Sequence, residues 1–243
     1  NNLYHSVGNL VARESRERVY AVFRGMQLMN FWLYSCAAIA LYAVIGPFIR
    51  AWIGDAYVME AAVPALLLLL FFERGMRNAI ATVKTTAGIF REDRYAPLLQ
   101  AAVTLGGSIA LVGPLGIAGV LLGSLIGALA IPFWLTPYWA YRKVFHLPLR
   151  RYFAVYARYA AAGGAACAAV LLVCRALPAE GWTAVALRLL AALAVPNLLY
   201  WALFRRLEEF AVLAGAARRI AEMLAGGLRP RAGRTAGGAK QTQ

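Results

Sequence analysis

The chain has 243 residues, of which 62% are hydrophobic and only 15% are charged, and its mean hydropathy is +0.62. A soluble domain has about 45–50% apolar and about 25% charged residues, so the composition excludes water as the main solvent of this chain. The formal net charge of +14 would suggest nucleic-acid binding in a soluble protein. Here the basic residues alternate with long apolar stretches, which favours a membrane over nucleic acid as the partner.

The beginning of the chain has the pattern of an interrupted helix. It starts Asn-Asn-Leu, without an initiator Met or a signal peptide, and residues 3–11 resemble the last turns of a helix. We expect residues 1–25 to comprise the end of this truncated helix and a charged interfacial segment. The chain is therefore predicted to be a fragment.

Apolar stretches of membrane-spanning length follow. The hydrocarbon core is roughly 30 Å thick, which takes about 20 helical residues to cross. The stretches show no alternation with period two, so helices are favoured over strands. They lie at approximately 26–48, 57–72, 97–112, 118–138, 155–177 and 182–204. The second and third are short, and they can span only if they continue into flanking polar helix. The predicted fold is all-α: a polytopic transmembrane helical bundle of about six spans, four of them within 26–145 and two within 146–204.

The basic residues fall on one side when these spans are threaded alternately. The opposite side holds Arg50 and Arg175, and the connection around 112–116 has no charge. By the positive-inside rule the basic side is cytoplasmic, which places both chain ends in the cytoplasm. The basic side holds Arg13, Arg16, Arg18, Arg24, Lys84, Arg91, Arg94, Arg142, Lys143, Arg150, Arg151, Arg205, Arg206, Arg218 and Arg219.

The C-terminal region divides into two parts. Residues 205–225 mix Arg and Glu with apolar residues, which predicts an amphipathic cytoplasmic helix on the membrane surface, or equally a solvated helix without a special role. Residues 226–243 are mostly Gly, Arg and Ala, so we expect a disordered basic tail that contacts anionic membrane lipid.

A polar stripe interrupts the second span. On a continuous helix Glu73, Arg77 and Lys84 share a face, with Arg74 at its flank and Asn78 beyond it. One interpretation is that the stripe lines a water-filled cavity, where the cations bind an anionic head group through bidentate hydrogen bonds. The other is that Glu73 and Arg77 form a helical ion pair at the interface while the remaining cations extend towards water. We predict a substrate-binding site comprising all five residues.

Other motifs bear on packing and chemistry. Gly119, Gly123 and Gly127 recur every four residues, which predicts close helix packing. The three cysteines lie in apolar stretches without a CxxC pair, so neither a disulfide nor a metal is predicted. We find no catalytic or phosphate-binding motif, and we predict that the chain is not an enzyme and has no cofactor.

Several segments resemble one transporter family, over roughly residues 6–153. They read SVGNLVARESRE, PFIRAWIGDAYV, MR at 76–77, AGIFREDRYAPL, SIAL, GIAGVLLGS and PFWLTPYWAYRKVF, in this order. Their order and spacing resemble the C-terminal half of oligosaccharide flippases of the polysaccharide-transport branch of the multidrug/oligosaccharidyl-lipid/polysaccharide exporter superfamily, especially capsular-polysaccharide exporters. Thr104 stands where an Asn is expected in this family, and Ser124 where Thr is usual.

The resemblance implies the second bundle of a two-bundle, alternating-access transporter in the bacterial cytoplasmic membrane. Its substrate would be a lipid-linked oligosaccharide, a polyprenyl-diphosphate sugar moved from the inner to the outer leaflet. Implied partners are the missing N-terminal half of the transporter and, as a further candidate, the polysaccharide polymerase machinery. Two alternatives stay open: a related exporter of small amphiphilic molecules, for which an acidic cavity is expected, and a membrane scaffold or enzyme of polysaccharide synthesis.

Overall fold

The computed structural model of the protein describes residues 15–178, 180–211 and 215. Within these residues all regular structure is helical, which confirms the predicted all-α class. The predicted truncated helix end, most of the amphipathic helix beyond residue 211 and the basic tail lie outside the described residues.

The α-helices of the described ranges are connected by short turns. A 3-10 turn, Asp55–Tyr57, follows the first helix, and a π-helical turn, Tyr141–Phe145, follows the fourth. His146 ends the π-helical turn in the left-handed region, with φ 55°. The helices are α1 (Arg16–Trp52), α2 (Ala62–Thr86), α3 (Ala96–Ala130), α4 (Pro132–Ala140), α5 (Arg150–Arg175) and α6 (Gly181–Phe204).

Four stretches of the described chain are long and apolar enough to cross a membrane. They are Arg16–Trp52, Ala96–Phe145, Arg150–Arg175 and Gly181–Phe204. Helix α2 is not among them, because Glu73, Arg74 and Arg77 interrupt its apolar sequence. The chain is therefore a transmembrane protein by the length and composition of its helices, with four candidate spans in place of the six expected.

Helix α1 is the centre of the bundle. It packs against α2, α5 and α6, while α2 also contacts α3 and α4. Phe31 of α1 stacks on Tyr159 of α5 with ring centroids 4.9 Å apart and lies 4.8 Å from the Tyr200 ring of α6. The indole N–H of Trp32 donates to Asn197 of α6 at 2.7 Å. Aromatic packing and one polar bond thus join the first helix to the last.

The basic ends of the helices lie together at one end of the bundle. There the start of α1, the end of α2, the π-helical turn and the start of α5 share an apolar cluster that includes Phe23, Val83, Phe145 and Tyr152. We call this the arginine-rich end. Arg50 lies at the opposite end of α1, where its Nε is 3.0 Å from Oδ1 of Asp55.

The loop between α2 and α3 is held at the arginine-rich end by two ion pairs. Asp93 accepts a hydrogen bond from Lys84 at the end of α2, and Glu92 accepts one from Lys143 in the π-helical turn. Lys84 precedes the loop in the sequence and Lys143 follows it. The two pairs therefore anchor the loop to α2 and to the π-helical turn at the same time.

A hairpin within α3 accounts for the glycines that recur every four residues, Gly119, Gly123 and Gly127, which we call the glycine series. Gly116 has the non-helical angles φ 55° and ψ −134°, and it divides α3 into the arms 96–115 and 117–130. A β-carbon at Gly119 would overlap the Leu111 carbonyl, and one at Gly123 would overlap the Ser108 backbone. The glycines therefore face the preceding arm of the same helix, and the two arms run antiparallel in close contact.

Two helix boundaries differ from the prediction, and proline explains both. Helix α2 begins at Ala62 and not near residue 57, with Pro64 in its first turn, where the missing N–H costs nothing. Pro64 therefore lies at the start of α2 and does not kink it. The stretch expected as one helix over 118–138 divides at Ile131, because Pro132 lacks the N–H that would continue α3.

Residues after α6 fold back against α1. Arg24 is 8% exposed and donates hydrogen bonds from two guanidinium nitrogens to one carboxylate oxygen of Glu209, with its Nε at 3.0 Å. Phe210 lies 6.2 Å from the Trp32 ring. Partial burial opposes ionisation of Glu209, but the hydrogen bonds from Arg24 keep the pKa of its carboxyl below the usual range. An ion pair thus fixes this segment to the bundle.

The hairpin predicts opposite effects for two glycine substitutions in α3. Gly123→Ala should destabilise the protein by about 1–3 kcal/mol, because its methyl group meets backbone that cannot move aside. Gly106→Ala, with nothing within 4 Å of the added carbon, should be neutral or stabilise the helix by about 0.5–1 kcal/mol. Denaturant unfolding in detergent measures both, and equal effects would contradict the close contact.

The Arg24–Glu209 pair predicts a pH dependence. A lowered pKa means that the pair contributes at pH values above the unfolded Glu value of about 4.3, and that its contribution is lost as the pH falls through the lower folded value. Hydrogen exchange of residues 207–211, corrected for intrinsic pH effects, should therefore accelerate below about pH 4. In Glu209→Gln the same residues should exchange fast both above and below this pH, whereas Glu208→Gln should show the wild-type pH dependence of exchange. A wild-type pH profile in Glu209→Gln would contradict the assignment.

Candidate functional site

The charged residues in the polar stripe of α2 differ in how deeply they are buried. Glu73 is buried with 3% of its surface exposed, Arg77 is half-buried, and Arg74 is exposed. Arg77 donates from Nη2 to Glu73 Oε2 at 3.1 Å, so the ion pair expected from their four-residue spacing is present. Glu73 thereby fixes the Arg77 guanidinium on the helix surface.

A cleft of about 790 Å³ opens beside this stripe, between α1, α2 and both arms of the α3 hairpin. Leucines of α1 and α2, with Phe71, form its apolar wall. Its polar wall is formed by Glu73, Arg74, Arg77, Gln100, Thr104 and Ser124. We call this the arginine cleft, and its volume is in the range that binds small ligands or head groups.

Three of the five predicted site residues meet in the arginine cleft, and two lie elsewhere. Glu73, Arg74 and Arg77 line it, as the stripe predicts. Lys84 is paired with Asp93 at the arginine-rich end, and Asn78 is exposed outside the cleft lining. The helical pair of the second interpretation is thus present, and the same pair borders a cavity, whereas Lys84 follows neither interpretation because it pairs with Asp93.

Three residues of the α3 hairpin complete the polar wall and were not among the predicted site residues. Gln100 and Thr104 come from the first arm and Ser124 from the second. Ser124 donates its hydroxyl hydrogen to the Val120 carbonyl at 3.1 Å, which leaves its oxygen able to accept a bond from a ligand. The signal available in the sequence was the presence of hydroxyl and amide groups in two otherwise apolar stretches, with Thr104 and Ser124 already notable as departures from the resembled family.

The charges of the cleft favour an anion. Arg74 forms no ion pair with any residue that the structure describes, whereas the cleft's one carboxylate, Glu73, is engaged by Arg77. On its inner side Glu73 interacts electrostatically with Tyr152 and Tyr156 of α5, and its Oε1 has no hydrogen-bond partner among the described residues. Two guanidinium groups therefore face the cavity with one carboxylate behind them. This arrangement suits a phosphate ligand, which accepts bidentate hydrogen bonds from arginine.

The described residues hold no group of three or more His, Cys, Asp or Glu side chains that could bind a metal ion. No protein-family model matches the chain, and comparisons with curated proteins and with solved structures also find no match.

The Glu73–Arg77 pair predicts a strongly coupled response to substitution. Glu73→Leu should destabilise the protein by about 2–3 kcal/mol, because it leaves Arg77, whose side chain is 17% exposed, without its counter-ion. Glu73→Leu combined with Arg77→Leu should recover most of that loss, since no unpaired charge is left. A double-mutant cycle from denaturant unfolding in detergent measures the coupling, and additive single effects would contradict it.

Proposed function

We propose that the chain is the C-terminal part of a flippase that moves lipid-linked oligosaccharide from the inner to the outer leaflet of a bacterial cytoplasmic membrane. The arginine cleft would receive the diphosphate of the polyprenyl-linked sugar. The observation that carries the proposal is Arg74, a cation without an ion-pair partner among the described residues, beside an Arg77 held in place by Glu73.

The energetics of charge in a membrane support this assignment. An ionised side chain at membrane depth is costly, so such residues mostly face a water-filled path or a binding site. Arg74 and Arg77 lie in the middle of a helix of 25 residues, which is about 37 Å long. A substrate with a phosphate group would offset that cost during passage, since it supplies the missing counter-charge.

The packing supports a topology of six crossings. If the two arms of the α3 hairpin cross separately, the four candidate spans become five, and α2 would be the sixth through its contacts with α1, α3 and α4. The positive-inside rule then places the arginine-rich end and both chain ends in the cytoplasm.

The exposed apolar surface of the α3 hairpin supports the proposal that a second half of the transporter packs there. Large apolar side chains of the α3 hairpin are exposed, including Leu105, Ile109 and Ile117, and the arginine cleft opens beside this hairpin. In a two-bundle transporter the N-terminal half would cover the cleft and complete the substrate path. The chain alone would not transport, and the polysaccharide polymerase machinery would act on the delivered substrate.

The alternatives receive less support from the same residues. An exporter of cationic amphiphiles would need a free carboxylate in the cavity, but Glu73 is paired. An enzyme of polysaccharide synthesis would need a reactive cluster, whereas the arginine cleft offers cations, one amide, hydroxyl groups and a single carboxylate, Glu73, that is paired with Arg77.

Genetic complementation tests the proposal. The full-length gene that contains this chain should restore surface polysaccharide in a flippase-null strain, and Arg74→Gln with Arg77→Gln should reduce that rescue at least about tenfold, because each lost charged hydrogen bond weakens phosphate binding. Arg91→Gln with Arg94→Gln removes the same charge outside the cleft and should rescue normally. Membrane levels of each variant are compared by immunoblot.

The two parts of the proposal fail separately. Absence of any polymer with the wild-type gene would contradict the flippase function. Normal rescue by the Arg74 and Arg77 double variant would contradict the role of the arginine cleft while leaving the flippase function standing.

A further inference from the structure

A second cavity, which shares no lining residue with the arginine cleft, opens at the arginine-rich end. It has a volume of about 720 Å³ and lies between the first turns of α1, the first turns of α5 and the residues that follow α6. Four arginines line it: Arg16 and Arg24 from α1, and Arg151 and Arg158 from α5. We call it the interfacial cavity.

The cations of this cavity are not all neutralised. Three carboxylates also line it, Glu17, Glu208 and Glu209, of which Glu209 is taken up by Arg24. Arg151 and Arg158 form no ion pair with any residue in the described part of the chain. The guanidinium of Arg158 lies over the Tyr159 ring, 5.8 Å from its centroid, and interacts electrostatically with Tyr159 and Glu209 without an ion pair.

These arginines lie near the first turns of two candidate membrane spans, α1 and α5, where a lipid head group would be met. Arg158 lies eight residues after Arg150, about 12 Å along α5 from its first residue. The first turn of α5 has no side-chain cap and no acidic residue, so its N-terminus adds positive potential at this cavity, whereas α1 is capped by Ser15 and carries Glu17 in its first turn. Ala154 and Val155 extend the same wall with apolar surface suited to acyl chains.

We propose that the interfacial cavity binds the phosphate of an anionic phospholipid, with Arg151 and Arg158 as its main ligands and Arg16 at the rim. Basic pockets between membrane helices at the head-group level bind such lipids, because arginine pairs with phosphate bidentately and the acyl chains stay in the bilayer. This lipid is a resident component of the fold and not the transported substrate. The inference goes beyond the proposed function and does not depend on it.

Glu209 has a defined part in this site. By holding Arg24, it keeps that guanidinium from the phosphate and keeps the segment after α6 as one wall of the cavity. Removing the carboxylate charge frees one more cation for the head group. Glu209→Gln therefore has two opposed effects on the binding of an anionic lipid, because it frees Arg24 and loosens one wall of the cavity.

Lipid binding to the purified chain in detergent tests the proposal. Native mass spectrometry should show phosphatidylglycerol bound in preference to phosphatidylcholine. Arg151→Gln with Arg158→Gln should weaken phosphatidylglycerol binding about tenfold or more. The matched control, Arg91→Gln with Arg94→Gln, removes two exposed arginines from the same end and should leave binding within about twofold.

Three results would overturn the proposal. Equal losses in the control would show that only the overall surface charge matters, and equal binding of phosphatidylcholine would remove the role of the anion. Displacement of the lipid by inorganic phosphate at similar concentration would assign the cavity to soluble phosphate. If the glutamine variant does not fold, Arg151→Lys with Arg158→Lys replaces it: affinity for phosphatidylglycerol should fall because bidentate bonding is lost, and unchanged affinity would contradict arginine ligation.

Discussion

Glu73 and Arg77 lie four residues apart on α2, and burying either charge between apolar helices would be costly without the opposite charge of the other. The same requirement is met elsewhere in the described chain by one long-range pair and one local pair. Arg24 reaches Glu209 across 185 positions of sequence, and Lys84 turns to Asp93 in the following loop. These pairs determine which surfaces come together, because each charge is costly until its partner is in place. Three of the arginines without an ion pair among the described residues border cavities: Arg74 on one side, and Arg151 and Arg158 on the other.

Much of the fold follows from composition and local pattern. Long apolar stretches predicted α1, α5 and α6 because a helix is the structure that satisfies its own backbone in hydrocarbon. The predicted boundaries were least accurate at Pro64 and Pro132, since a proline can begin, kink or end a helix, and the choice depends on tertiary packing. The close contact of the glycine series was predicted, but its partner was not, because spacing along one helix does not identify the facing helix.

The candidate site was predictable only in its local part. Glu73, Arg74 and Arg77 lie within five residues, so helical periodicity alone places them beside one another. Gln100, Thr104 and Ser124 reach the same cavity because the chain reverses at Gly116, within the connection predicted around 112–116, but the sequence pattern does not show which helix the two arms pack against. Lys84 shares the predicted helix face but is drawn to Asp93, a contact set by the course of the following loop.

The α3 hairpin also bears on how the protein assembles. Its arms are neighbours in sequence, so their contact costs little loop entropy and can form as soon as the second arm has been synthesised. The junction of α1 with α6 joins Trp32 to Asn197, 165 positions apart, and must wait for nearly the whole described chain. During synthesis the part of α1 that faces α6, including Trp32, therefore stays uncovered until α6 arrives. The hairpin is accordingly an early, self-contained unit, and closure of the bundle around α1 is the last step.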